Sequence, residues 1–148
     1  MPRVTRGRTI AAAAADAWEL VSDPYSLPRW WPRTQRVEGV DGDGPGAQWT
    51  QVLGTSEGRG VRADFRCTEV DEGTRLSWEQ QIPGTPFERH LKAYAVELEL
   101  EAKEDGTAVT LTVVQTLRGL SRLGGLMMRR GQGAVLDEAL DGLERALT

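Results

Sequence analysis

The apolar residues of this chain change their spacing twice. Between Ala14 and Val21 they recur at helical intervals, with Ala14, Ala17, Trp18 and Val21 on one side and Leu20 beside them, which predicts a helix of about nine residues. Asp23 followed by Pro24 reads as the cap and first position of a second short helix, soon limited by Pro28. From residue 36 the period becomes two. "RVEGV" and "AQWTQVL" flank the turn "DGDGPG"; "GVRADFRCTEV" and "RLSWEQQI" flank "DEGT"; "FERHLKAYAVELELEA" and "AVTLTVVQTL" flank "KEDGT". Three antiparallel hairpins are predicted, and "RVTRGRTI" supplies a further strand before the helices. Within the strand expected from Phe87 to Ala102, Val96, Leu98 and Leu100 alternate with Glu97, Glu99 and Glu101, so one face of the sheet is dry and the other solvated.

The helical period returns from Leu120 to Leu147, a stretch without proline. Its apolar residues form two sets: Leu120, Leu123 and Met127, then Leu136, Leu140, Leu143 and Leu147. At about 100° per residue the sets lie roughly half a turn apart. The change falls at Gly131 to Gly133, where either the helix bends or its two halves face different neighbours. Seven strands, two short helices after the first strand and one long final helix make an α+β arrangement in which the helix covers the dry face.

Composition narrows the function. With 148 residues, 39% of them apolar, residues 1–148 are expected to form one domain. A formal net charge of -4, with Arg129 and Arg130 the one adjacent basic pair, argues against a nucleic-acid partner. Cys67 stands alone, which excludes an internal disulfide and suits a reducing compartment. The opening "MPRVTRGRTIAAAAADAW" imitates a secretion signal but has a weak apolar core. No run approaches the roughly 18 apolar residues of a membrane span, so a cytoplasmic protein without stable membrane insertion is expected. One histidine and one cysteine cannot make a metal cluster, and no phosphate loop, dinucleotide fingerprint or G-x-S-x-G motif occurs, so no cofactor is expected. A Cys67 and His90 nucleophilic pair is formally possible, but the two lie on strands that do not follow one another, and a buried inert thiol is the simpler reading. The pairs Asp41/Asp43 and Asp71/Glu72 fall in turns, where loop geometry accounts for them.

The order of elements, the segment "ADAWELVSDPYSLPRWWP", the hairpin "EVDEGTRLSWE" and the long closing helix resemble the START/SRPBCC superfamily of helix-grip proteins, and within it the bacterial polyketide cyclase/dehydrase and lipid-transport branch. The resemblance implies a curved seven-stranded antiparallel sheet wrapped around the C-terminal helix, with a hollow between them for an apolar ligand. It also implies that Trp30 is a buried anchor beneath the short helices and Trp31 a rim or cavity residue. It does not choose an activity, because cyclases, lipid carriers and receptors share the scaffold.

A hollow has consequences of its own. Ligand sites enclose about 300 to 1,000 Å³, and an apolar void costs about 24 cal/mol per Å³. Even the smaller volume would cost about 7 kcal/mol if dry, comparable to the net stability of a domain, so it must hold water, hold a ligand or collapse. With an unbroken register, the inner face carries Tyr94, Lys92 and His90 below Val96; Trp78 and Gln80 with Leu76; Gln115 with Val113; and Phe65 and Cys67 after Val61 and Ala63. The expected pocket residues are therefore Trp30, Trp31, Phe65, Trp78, Gln80, His90, Tyr94, Gln115, Met127 and Gln132. Most have a second reading: His90 as a surface residue, Tyr94, Trp78 and Met127 as core, and Gln132 as exposed. The function expected is binding or transport of a hydrophobic or amphipathic small molecule, such as a polyketide, isoprenoid or lipid, by a monomer or homodimer. A polyketide cyclase or dehydratase using the same cavity is the alternative, and a protein-interaction module with a collapsed cavity is the third.

Overall fold

A computed structural model describes residues 3–54, 60–119 and 122–148. Strand β1 (Arg3–Ile10) leads into helix α1 (Ala14–Val21), a 3-10 turn (Pro24–Ser26) and the short helix α2 (Leu27–Trp30). Strands β2 (Thr34–Asp41), β3 (Gln48–Gly54), β4 (Gly60–Asp71) and β5 (Arg75–Gln80) follow, then a second 3-10 turn (Pro86–Arg89), strands β6 (Leu91–Lys103) and β7 (Gly106–Leu117), and helix α3 (Arg122–Leu147). The strands form one antiparallel sheet in the order β1-β7-β6-β5-β4-β3-β2. This is the α+β arrangement that the alternating and helical periods predict, and the helix-grip architecture that the family resemblance implies.

The local causes are visible at the element ends. Asp23 has extended backbone and its carboxylate accepts from the N–H of Tyr25 at 3.0 Å, so it caps the turn that Pro24 begins. Val96 and Leu98 are fully buried, while Glu97, Glu99 and Glu101 pair with Arg3, Arg75 and Lys103 on the outer face. One expected element starts later than its sequence suggested. Strand β6 begins at Leu91 rather than Phe87, because Pro86 opens a 3-10 turn in which the Glu88 carboxylate accepts from the N–H of Gly84 at 2.7 Å.

Helix α3 runs without interruption past Gly131 and Gly133. Its two halves do differ in surroundings. Leu136, Ala139, Leu140 and Leu143 are buried, whereas Leu126 and Met127 are exposed to 53% and 65%. Leu120 and the side chain of Leu123 lie outside what the structure describes. Two glycines of α3 sit at close approaches: a Cβ on Gly133 would meet the guanidinium of Arg6, and one on Gly142 would stand 2.8 Å from Cα of Trp30 and collide with its carbonyl, whereas Gly131 has open space. Gly142 thus lets α3 seat against α2, and Arg8 reaches from β1 to Asp141 at 2.6 Å on the outer side.

Candidate functional site

The register brings five inward side chains from five strands into one row. Trp49 pairs with Phe65, Phe65 with Gln80, and Tyr94 with Gln115. Continuing the β5–β6 ladder one residue past Glu79 and Ala95 sets Gln80 beside Tyr94. The row therefore reads Trp49, Phe65, Gln80, Tyr94, Gln115 and turns from aromatic to amide as it crosses the sheet. Trp49 stacks on Phe65 with centroids 6.2 Å apart, and Phe65 meets Tyr94 edge-on at 6.4 Å. Gln80 consequently lies between two rings that touch each other. From α3, Gln132 donates through Nε2 to Oε1 of Gln115 at 2.6 Å. Nε2 of Gln80 and Oε1 of Gln132 are buried without a hydrogen-bond partner among the described residues, so two amides keep an unused polar atom inside the fold.

Beside the aromatic end of this row lies a partly open hollow of about 240 Å³. Trp18, Val21 and Leu27 wall it from the short helices, and Trp49, Cys67, Leu76 and Trp78 from the sheet. Its mouth is formed by the β2–β3 and β4–β5 turns, where Asp43 and Glu72 line it. The rings on the sheet side are fixed by their neighbours. Trp78 contacts Trp30, Trp31 and Trp49 at 6.4, 6.0 and 6.4 Å, all edge-to-face, a geometry that favours aromatic pairs.

The ten residues expected at the pocket separate into three groups. Trp30, Trp31, Phe65 and Trp78 are buried together on the inner side, and of all ten only Trp78 lines the hollow just described. Trp30 takes the anchor position beneath α3. Trp31, expected at a rim or cavity, is 7% exposed, packs against Trp30 at 5.5 Å and Trp78 at 6.0 Å, and borders a separate shallow hollow beside Arg29, Glu138 and Arg145 rather than the one just described. Gln80, Tyr94, Gln115 and Gln132 are half-buried and meet in the row. His90 and Met127 stand apart. The β6 register is broken between Leu91 and Ala93, so Leu91 turns inward while Lys92 and His90 are exposed, the latter capping the 3-10 turn. Met127 sits on the exposed half of α3.

Trp18, Trp49 and Leu27 were not among the expected residues, yet they line the hollow together with Cys67, which the alternation places on the inner face. The signal for Trp49 was present, since the alternation of "AQWTQVL" fixes which side chains share a face and the pairing partner Phe65 fixes which face is inner. Trp18 and Leu27 could not be placed without the packing of the short helices. The carboxylates of Asp41, Asp43, Asp71 and Glu72 form no hydrogen bond or ion pair with the described residues, while the Asp71 carbonyl closes the β4–β5 turn by accepting from the N–H of Thr74 at 3.0 Å.

Burial sets the protonation of two groups. Desolvation pushes the Cys67 thiol up, partly offset by its hydrogen bond to the carbonyl of Glu69 at 3.8 Å, so the residue stays protonated and reacts slowly. Desolvation also holds the Tyr94 hydroxyl well above the ordinary tyrosine range, so it is a neutral donor and acceptor. No group of histidine, cysteine and acidic side chains among the described residues is arranged to hold a metal ion, and no described helix is long and apolar enough to cross a membrane.

Comparison with known proteins agrees with this geometry. The family model described as polyketide cyclase / dehydrase and lipid transport matches residues 1–148. Among solved structures, the di-domain ARO/CYC StfQ from the steffimycin biosynthetic pathway superposes with a TM-score of 0.79 at 14% identity, covering 99% of this chain and 50% of that one. This chain thus spans half the length of that protein. A START superfamily protein from Mycobacterium smegmatis gives a TM-score of 0.77 at 17% identity over 98% of this chain and 96% of its own. A protein from Thermobifida fusca gives 0.70 at 26% identity over 97% and 91%. No curated protein sequence matches.

Proposed function

Because the chain belongs to the polyketide cyclase/dehydrase and lipid transport family, we propose that it binds or carries a hydrophobic or amphipathic small molecule between the concave sheet and its helices. The observation that carries this reading is the hollow of about 240 Å³ lined by Trp18, Trp49 and Trp78. An apolar wall left wet forgoes the burial that drives folding, about 25 cal/mol for each Å², and a ligand recovers it by displacing weakly held water. The row meets the hollow at Trp49, and an amphipathic guest that reached past this ring would find the unused polar atoms of Gln80 and Gln132.

Cys67 lines the hollow and reports on it. An apolar ligand in the hollow slows alkylation of this thiol and raises the melting temperature, and native mass spectrometry of protein taken from its host shows the bound mass. A panel of fatty acids, isoprenoids and aromatic polyketides that leaves both Cys67 labelling and melting unchanged overturns the reading.

A cyclase-type reaction in the same interior is the second reading, supported by the neutral Tyr94 hydroxyl beside the amides of the row. Such a reaction draws mainly on holding a flexible chain in one shape, with a polar side chain assisting proton transfer. The two readings part at Tyr94→Phe. A carrier loses less than about tenfold in affinity, whereas a cyclase loses about a hundredfold or more in turnover.

A further inference from the structure

We infer that the hollow beneath the short helices selects an organic cation, a small ammonium compound with an apolar body, over neutral and anionic molecules of the same shape. The inference rests on the binding role proposed for the hollow and adds the charge of its guest. Three indoles, Trp18, Trp49 and Trp78, stand in its wall. The electron-rich faces of indole attract cations more strongly than those of any other side chain. Among the described residues, the charged ones of the wall are Asp43 and Glu72, both at the mouth and both negative, and no described lysine, arginine or histidine lines it.

The surroundings do not cancel that charge. Neither Asp43 nor Glu72 has an ion-pair partner among the described residues, in contrast to Glu38, which holds Arg36 and Arg62. Asp41 and Asp71 end the strands that enter the same two turns and add to the field. The nearest cation in register is Arg75, opposite Asp71, and its guanidinium is engaged by Glu69 and Glu99. A mouth of one sign above low-dielectric walls concentrates ions of the opposite sign. The size also fits: a cavity of roughly 150 Å³ holds a benzene ring, and about 240 Å³ leaves room for a ring bearing a trimethylammonium group.

The test uses three phenols that differ in charge and little in shape: 4-(trimethylammonio)phenol, 4-tert-butylphenol and 4-hydroxybenzenesulfonate. Titration calorimetry on the full chain at low salt is expected to show the cation binding about fivefold or more tighter than its neutral isostere, with the sulfonate weakest. The preference should shrink in about 1 M salt, where charges are screened beyond roughly 3 Å. In the double variant Asp43→Asn with Glu72→Gln, two exposed turn positions, the ratio of cation to neutral affinity should fall by about half or more, the remainder coming from the indoles. Equal or tighter binding of 4-tert-butylphenol overturns the charge selectivity while leaving the hollow as a binding site, and a ratio unchanged in the double variant overturns the part assigned to the acidic mouth. If none of the three phenols binds, the cation selectivity falls, while the binding role itself stands or falls with the panel of fatty acids, isoprenoids and aromatic polyketides.

Discussion

Gln132 on α3 and Gln115 on β7 are joined side chain to side chain at 2.6 Å. The bond ties the helix to the sheet at the point where α3 passes from its exposed half to its buried half. It also leaves Oε1 of Gln132 unpartnered in the interior. One contact thus serves stability and the candidate site together. A double-mutant cycle with Gln115→Ala and Gln132→Ala, read by urea unfolding, should give a coupling of about 0.5 to 1.5 kcal/mol; additive effects would show that the bond contributes nothing.

Gln80 presents the opposite case. Its Nε2 is buried without a partner among the described residues, and a lost hydrogen bond of that kind costs about 1 to 3 kcal/mol. Gln80→Leu should therefore raise the stability of the ligand-free protein by about 1 kcal/mol and weaken binding of any guest that hydrogen-bonds there. A lowered melting temperature would show that the amide is satisfied in solution.

The seat of α3 depends on the absence of a side chain at Gly142. A Cβ there collides with the carbonyl of Trp30 and lies 2.8 Å from its Cα. Because the neighbours are backbone atoms, the helix itself must shift, and overpacking of this kind costs about 1 to 3 kcal/mol. Gly142→Ala should lower the urea midpoint accordingly, whereas Gly131→Ala, with open space around its Cβ, should be neutral or stabilising by helix propensity.

Trp30 carries the packing from the other side. It is 2% exposed and touches both Trp31 and Trp78, so Trp30→Ala should destabilise by about 3 to 5 kcal/mol. A loss below about 1 kcal/mol on chemical denaturation would contradict its role as the anchor.

Tyr94 gives a pH dependence with a defined sign. Its folded pKa is raised by desolvation, so above the unfolded value of about 10 the unfolded chain has lost a proton that the folded chain keeps. The contribution is present in full below about pH 10 and is lost as pH rises beyond it. Stability measured between pH 9 and 11 (about one unit either side of that value) should fall less steeply in Tyr94→Phe than in the native chain.

The periodicities made most of the fold legible. Alternation located the six hairpin strands because one face of the sheet is dry, β-favouring residues located the first, and Asp23 followed by Pro24 located the break after α1 because a cap and a fixed φ act locally. The pairing of Tyr94 with Gln115 and the inward side of Phe65, Trp78 and Gln80 could be followed in the same way. His90 could not, because a period of two holds only while the register is unbroken, and the irregularity between Leu91 and Ala93 exchanges the faces.

By itself, then, the sequence determined the elements, their order and the residues that share each face, since these follow from local backbone preference and from the need to bury one side of a sheet. Tertiary structure alone decided which indoles pack solid and which border a void. Trp31 and Trp49 are equally apolar and both buried, yet only Trp49 lines the hollow, because that outcome depends on how closely α1 and α2 lie on the strands. The acidic mouth belongs to the same category: Asp43 and Glu72 are 29 positions apart in sequence, and only the folding of two separate turns to one end of the sheet sets their charges at a single opening.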